Sequence, residues 1–310
     1  ILMATSAYAK YFQPEVLSRI SRLELRARHV VEGFISGMHK SPYKGFSVQF
    51  ASHRAYVPGD DIRHLDWRVY AKADRFFIKE YEEETNMRVH LLLDCSNSMA
   101  YPEHPGTGRM TKWDYAATLA ASMAHLLVHQ QDGVGLTLFD SDIRAQLPVS
   151  SHRAALLNLV HAVESNPPAN KTDVKMMFQK LASRIPRRGM VVVLSDLLTD
   201  VDELVRGLQR FRFGRHDLLV LHVLDRDELE FPFTDRTLFE GMEDVGLEVL
   251  TDPQSLRASY LQAVQAFINK VRRACLDNRI DYALISTAEG VDVALTTFLA
   301  SRMRFRRTTA

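Results

Sequence analysis

RVHLLLDCSNSMA, residues 88–100, carries two messages in one run. Val89 to Leu93 is a short, near-continuous apolar stretch of strand length, as found where a strand is buried on both faces. It ends in Asp94, after which Ser96 and Ser98 place hydroxyls at alternate positions. That is more oxygen than a turn requires.

Apolar runs of similar length recur near 133–139, 190–195, 217–224 and 280–285, with a short edge strand near 143–149. Segments of helical period separate them. The alternation predicts an α/β fold, a doubly wound, mostly parallel sheet with helices on both faces. Asp200 with Glu203 and Ser286 with Glu289 fit capping boxes, and Asp252 before Pro253 fits an N-cap and first helical position. Over 253–276, Leu256, Tyr260, Val264, Phe267, Val271 and Cys275 recur at helical spacing, so one stripe is expected to face a core. Between about 225 and 251, Pro232, Gly241 and Gly246 break the text into short pieces that read as a hairpin insertion.

Residues 1–87 differ in character: a charged helix from about 14 to 36, then short strand-like pieces punctuated by glycine and proline. They read as a smaller N-terminal extension of helix and short strands, with the main domain over 88–310.

The 310 residues, 46% of them hydrophobic, provide ample core material. Lys plus Arg number 39 against 38 Asp plus Glu, and this balance gives no general reason to expect nucleic acid or an anionic membrane as partner. Two cysteines, Cys95 and Cys275, make neither a disulfide framework nor a zinc site, so a reducing cytoplasm is the expected home. The start shows no secretory signal pattern. No apolar run approaches the roughly 20 residues of a membrane helix, and 116–128 reads as a core helix. The basic stretch Arg302 to Arg307 reads as a solvated terminal run.

Two predicted strands end in aspartate, Asp94 and, after Val191 to Ser195, Asp196. If the strands are neighbours, the two carboxylates meet at the crevice beyond the strand ends and repel unless a proton or cation intervenes. Ser96 and Ser98 add hydroxyls. Thr172 offers a further one, although taken alone it reads first as a helix N-cap. This hard oxygen set suits Mg²⁺, or another divalent cation such as Mn²⁺ or Ca²⁺. Asp140 reads as a turn residue, and His39, His53 and His64 show no ligand pattern.

The constellation resembles a von Willebrand factor type A domain with its metal-ion-dependent adhesion site: Asp94, Ser96, Ser98, Thr172 and Asp196 match the five signature positions. The resemblance implies hydroxyls bound directly to the ion, aspartates acting largely through water, and a partner's carboxylate completing the shell. Residues 37–67, GMHKSPYKGFSVQFASHRAYVPGDDIRHLDW, resemble the signature of domain of unknown function 58, a family associated with MoxR-type AAA+ ATPases. Gly37, His39, Ser41, Gly45, Phe46, Phe50, Arg54, Tyr56, Gly59, Asp60, Asp61, Arg63, Asp66 and Trp67 carry the match; Gln49 and Ser52 stand where the family often has acids. Trp67 with Arg54, Arg63, Asp60 and Asp66 reads either as a network fixing the extension to the main domain or as a contact surface.

The expectation is a non-enzymatic, metal-dependent adaptor whose partners are a MoxR-type ATPase and a client presenting an acidic residue. The competing reading is a Mg²⁺-dependent hydrolase or phosphatase using the same crevice. Against it stand the lack of a P-loop, of a Gly-x-Ser-x-Gly elbow, and of a lysine beside the motif to neutralise a phosphate.

Overall fold

The computed structural model describes residues 87–102, 109–171, 174–185, 187–242, 246 and 248–309, with 53–55, 76–79 and the helical positions Leu23, Ala27, Val30 and Val31. Two compact units result: Ile35–Asn86, and Ile1–Phe34 together with Met87–Ala310. In the smaller unit, β1 (His53–Ala55) pairs antiparallel with β2 (Phe77–Lys79), His53 opposite Lys79. Thr172, the side chain of Arg54, and Asp60, Arg63, Asp66 and Trp67 lie outside the described residues.

The larger unit is organised by one sheet. Its strands are β3 (Arg88–Asp94), β4 (Gly133–Phe139), β5 (Ile143–Ser150), β6 (Met190–Ser195), β7 (Asp217–Leu224) and β10 (Asp281–Ser286), in spatial order β10, β7, β6, β3, β4, β5. Neighbours are parallel except β4 and β5. These are the strands expected from the apolar runs, the edge strand included.

Seven α-helices with described bounds accompany the sheet: α1 (Lys112–His129), α2 (Arg153–Glu164), α3 (Val174–Arg184), α4 (Val201–Phe213), the short α5 (Arg226–Glu230), α6 (Pro253–Asp277) and α7 (Val291–Thr309). Strand alternation sorts the core into two layers. Val89, Leu91 and Leu93 share one with Val192 and Leu194 of β6 and with residues of α1, α2 and α7; Leu23, Ala27 and Val31, at helical spacing, join it. Leu92, Val191 and Val193 share the other with α3, α4 and α6. Because β3 is covered on both sides, each of its buried leucines is worth about 2–5 kcal/mol against alanine. Gly207 allows α4 to approach α3 closely, since a Cβ there would come within 2.8 Å of the Phe178 ring.

Helix starts follow local chemistry. Asp200 accepts the amides of Asp202 and Glu203 at 2.9 and 3.0 Å, and Asp252 accepts that of Gln254 at 3.1 Å beside Pro253. Ser286 departs from expectation: with Glu289 it closes a turn, the Glu289 amide donating to the Ser286 carbonyl at 3.0 Å, and α7 begins only at Val291, after Gly290. The α6 stripe also departs. Val271 and Cys275 are buried and Phe267 packs against them, but Tyr260 is half-buried and Leu256 exposed. Before Phe267 the helix contributes no residue to either core layer. Its first turns lie near the antiparallel pair β8 (Thr237–Glu240) and β9 (Glu248–Thr251).

From β3 the chain passes to β4 and β5 on one side and returns to β6, β7 and β10 on the other. The carboxyl ends of β3 and β6 flank that reversal, the place where open α/β sheets bind ligands.

Candidate functional site

Strands β3 and β6 are hydrogen-bonded neighbours with Leu93 opposite Leu194, so their ends bring Asp94 and Asp196 to one crevice. Both are almost wholly buried, as are Ser96 and Ser98. Asp94 Oδ1 accepts the Ser96 amide at 2.9 Å, and Oδ2 accepts the Ser195 hydroxyl at 2.6 Å. Burial, then repulsion from Asp196, pushes the Asp94 carboxyl up to about 7, although these hydrogen bonds pull the other way. The Ser96 and Ser98 hydroxyl oxygens lie 3.0 Å apart.

Lys112, the first residue of α1, is the group that sequence reasoning missed. Its ammonium donates to Asp196 Oδ2 at 2.8 Å and to Glu228 Oε1 at 2.7 Å. The expectation that no lysine stands beside the motif is therefore corrected: Lys112 is distant in sequence but folds onto it. The signal was faint yet physical. Thr111 caps α1, accepting the Asp114 amide at 2.9 Å, and a lysine in that first turn opposes the helix dipole unless acids await it. Burial pushes Asp196 up, but the Lys112 charge and its hydrogen bond, with Ser98 assisting, bring its carboxyl below the usual range. Burial likewise opposes the Lys112 charge, yet Asp196 and Glu228 together raise its affinity for the proton.

The strand ends are held from behind. His222 on β7 contacts the Asp196 carbonyl through Nε2 at 2.8 Å and the Tyr282 hydroxyl through Nδ1 at 2.8 Å. A carbonyl only accepts, so Nε2 carries the proton and Nδ1 accepts from Tyr282. Burial lowers the imidazole to about 4, which keeps it neutral.

The loop after Asp94 is held from the side. The amide of Asn97 donates to the Asn170 carbonyl at 2.8 Å, and that of Ala169 to the Cys95 carbonyl at 2.9 Å. The Asn170 side chain donates to Asp140 Oδ2 at 2.9 Å, an oxygen also bound by Arg144 at 2.8 Å, while Oδ1 takes the Asp142 amide at 2.9 Å. Asp140 is thus the turn residue expected, and also an anchor for the neighbouring loop.

The crevice opens into a cleft of roughly 1380 Å³ running from Ser98, Lys112 and Glu228 to the β8 and β9 hairpin and the start of α6. The Asn97 side chain ties the two together by donating to the Met242 carbonyl. Among the described residues no three His, Cys, Asp or Glu side chains group as metal ligands. What the crevice offers is two carboxylates and a pair of hydroxyls, an oxygen set low in charge. Among the described residues no helix is long and apolar enough to cross a membrane, and α1 is largely buried as a core helix.

Among relatives in sequence, two are described as uncharacterized proteins. Protein Rv1480 of Mycobacterium tuberculosis is 25% identical over 273 residues, 87% of this chain and 81% of its own. YeaD of Bacillus subtilis is 30% identical over 114 residues, 36% of this chain and 25% of that protein. Among solved structures, the conserved hypothetical protein BatB from Bacteroides thetaiotaomicron aligns over 70% of this chain and 99% of its own, at 16% identity and a TM-score of 0.41. The SpRpn10 VWA domain aligns over 68% and 94%, at 12% identity and a TM-score of 0.38. The model of the family described as protein of unknown function DUF58 matches residues 52–268, a span that takes in Asp94, Ser96, Ser98, Lys112 and Asp196, and the chain belongs to that family.

Proposed function

We propose that the protein is a metal-dependent protein-binding adaptor, with Mg²⁺ held at the crevice and an acidic residue of a client protein completing its shell. One observation carries this reading: two buried carboxylates on adjacent strand ends, Asp94 and Asp196, stand beside the paired hydroxyls of Ser96 and Ser98, with Asp94 pushed up to about 7. A divalent cation fits this set, because it offsets both the burial and the Asp196 repulsion that raise the proton affinity of Asp94. Ser96, Ser98, Asp94 and Asp196 would hold it, with Thr172 as the fifth position from the family resemblance. When bound, the ion supplies a Lewis-acidic centre for an exogenous carboxylate. Lys112 keeps Asp196 ionised and in place, so the site is charged and shaped ahead of the ion. The resemblance of 37–67 supports a MoxR-type AAA+ ATPase as one partner, acting with the adaptor in assembly or activation of protein complexes in the cytoplasm.

Lys112 also favours a second reading, a Mg²⁺-dependent phosphatase, since a lysine beside an aspartate-lined crevice suits phosphoryl chemistry. The adaptor is preferred because Lys112 is already shared between Asp196 and Glu228 and is 1% exposed. Calorimetric Mg²⁺ titration of the wild type and of Asp94→Ala tests the site: binding to the wild type alone is expected, and equal binding by both sinks the assignment. Turnover of p-nitrophenyl phosphate that requires Mg²⁺ and Asp94 would replace the adaptor by the phosphatase.

A further inference from the structure

Three helix-to-strand turns meet at the amino ends of β6, β7 and β10, the edge of the sheet opposite the crevice. They are 185–189 after α3, 214–216 after α4 and 278–280 after α6. Because the strands adjoin in the order β10, β7, β6, the turns stand side by side at the strand spacing of about 4.8 Å. The Asp217 amide donates to the Gly189 carbonyl at 3.1 Å, joining the first turn to the second. Gln209, one helical turn before Phe213, donates to Asn278 Oδ1 at 2.8 Å and ties the end of α4 to the third.

This edge exposes arginine and large apolar side chains together. Arg187, Arg210, Arg215 and Arg279 are exposed, and none is ion-paired with a described residue, whereas Arg188 and Arg212 share Asp217. Phe213 and Leu276, in the last turns of α4 and α6, are 83% and 64% exposed, more than any other large hydrophobic side chain described. Arg215 and Arg279 have φ of 59° and 54°, the left-handed conformation that glycine takes at least cost after a helix. Gln131 takes it before β4, so the turn itself does not ask for arginine. What the two arginines add is a pair of guanidinium forks in equivalent places on adjacent strands, suited to oxyanions.

We propose that this amino edge binds an acidic segment of a partner protein, its carboxylates on Arg215 and Arg279 and a bulky apolar residue between them on Phe213 and Leu276. Two observations favour a protein segment over a nucleic acid. Leu276 has no π face on which a base could stack. Asp217 and Asp277 stand among the arginines, where they repel a continuous phosphate backbone but leave room for a few spaced carboxylates. The proposal goes beyond the adaptor reading and does not rest on it, since no metal is involved. It gives the chain a second docking face, separated from the crevice by the length of strands such as β6, about 20 Å for six residues.

Selection of a random dodecapeptide library displayed on phage against the full chain in EDTA, which keeps metal from the crevice, tests this. Enrichment of peptides with two or more Asp or Glu around a bulky apolar residue is expected. Arg215→Gly with Arg279→Gly should weaken the selected peptides at least tenfold and leave the thermal midpoint unchanged or higher, because glycine relieves the left-handed backbone. Phe213→Ser is expected to lose the apolar preference, and Asp94→Ala to bind as the wild type does. Absence of enrichment, a lowered midpoint in the glycine pair, unchanged binding by that pair, or loss of binding in Asp94→Ala each overturns the proposal. So does an oligothymidylate or a phosphatidylglycerol vesicle that binds the wild type more tightly than the peptides and fails to bind the glycine pair, which assigns the edge to nucleic acid or lipid.

Discussion

Lys112 Nζ lies 2.8 Å from Asp196 Oδ2 and 2.7 Å from Glu228 Oε1, with the lysine side chain 1% exposed. A buried ammonium at the first position of a helix is held against both desolvation and the helix dipole, so its two carboxylates define its place. One lysine charge serves two acidic side chains here. Asp94 beside them, raised by burial and then by repulsion from Asp196, holds its proton to about pH 7.

Removing the lysine charge exposes that dependence. Lys112→Met leaves Asp196 buried without its cation and is expected to cost about 3–5 kcal/mol without divalent ions. Urea unfolding with and without Mg²⁺ measures it, and the ion is expected to recover more stability in the variant than in the wild type. An unchanged midpoint in metal-free buffer would show that the pair is not needed.

Asp94 makes stability fall with pH. Its folded value of about 7 is above the ordinary 3.8, so between those values the folded chain keeps a proton that the unfolded chain has released. The contribution of this group is therefore full below about pH 4, declines as pH rises toward 7, and is level above, a loss on the order of 4 kcal/mol without metal. Asp94→Asn is expected to flatten that part of the curve. An identical pH slope in the two proteins would move the effect to another group.

Mg²⁺ and the proton compete for the same carboxylate. Affinity is expected to fall about tenfold per pH unit below about pH 7, because the ion requires the ionised form. Calorimetry at pH 5.5, 6.5 and 7.5 checks this, with constant affinity as the contrary result. Ser96→Ala and Ser98→Ala should each weaken Mg²⁺ about 10–100-fold while the chain still unfolds cooperatively.

His222 is expected to remain neutral, with its proton on Nε2, throughout pH 5–8, since burial lowers it to about 4. Long-range nitrogen–proton NMR of the imidazole reads the tautomer directly. His222→Leu strands the Asp196 carbonyl and the Tyr282 hydroxyl and should cost about 1–3 kcal/mol. A histidine that charges near pH 6.5 would contradict the assignment.

The sheet was legible because buried parallel strands write themselves as short apolar runs, and β3, β4, β6, β7 and β10 each did so. The end of α6 was misjudged for a related reason: Leu256 and Tyr260 continue the helical stripe of Val271 and Cys275, but periodicity records only that a face is apolar and leaves open what covers it. Ser286 misled as a capping residue because Gly290 delays the helix, a choice made by the turn geometry.

By itself, the amino-acid order determined the strands, the aspartates that end two of them and the hydroxyls that follow Asp94, since each is a local property of neighbouring residues. Only the tertiary structure decided that β3 and β6 adjoin. It also brought Lys112 to Asp196 and Glu228 and Ser195 to Asp94, and left the hairpin and the first turns of α6 lining an apolar cleft. Those relations join residues far apart in the chain through burial, charge and strand order, and no short stretch of sequence contains them.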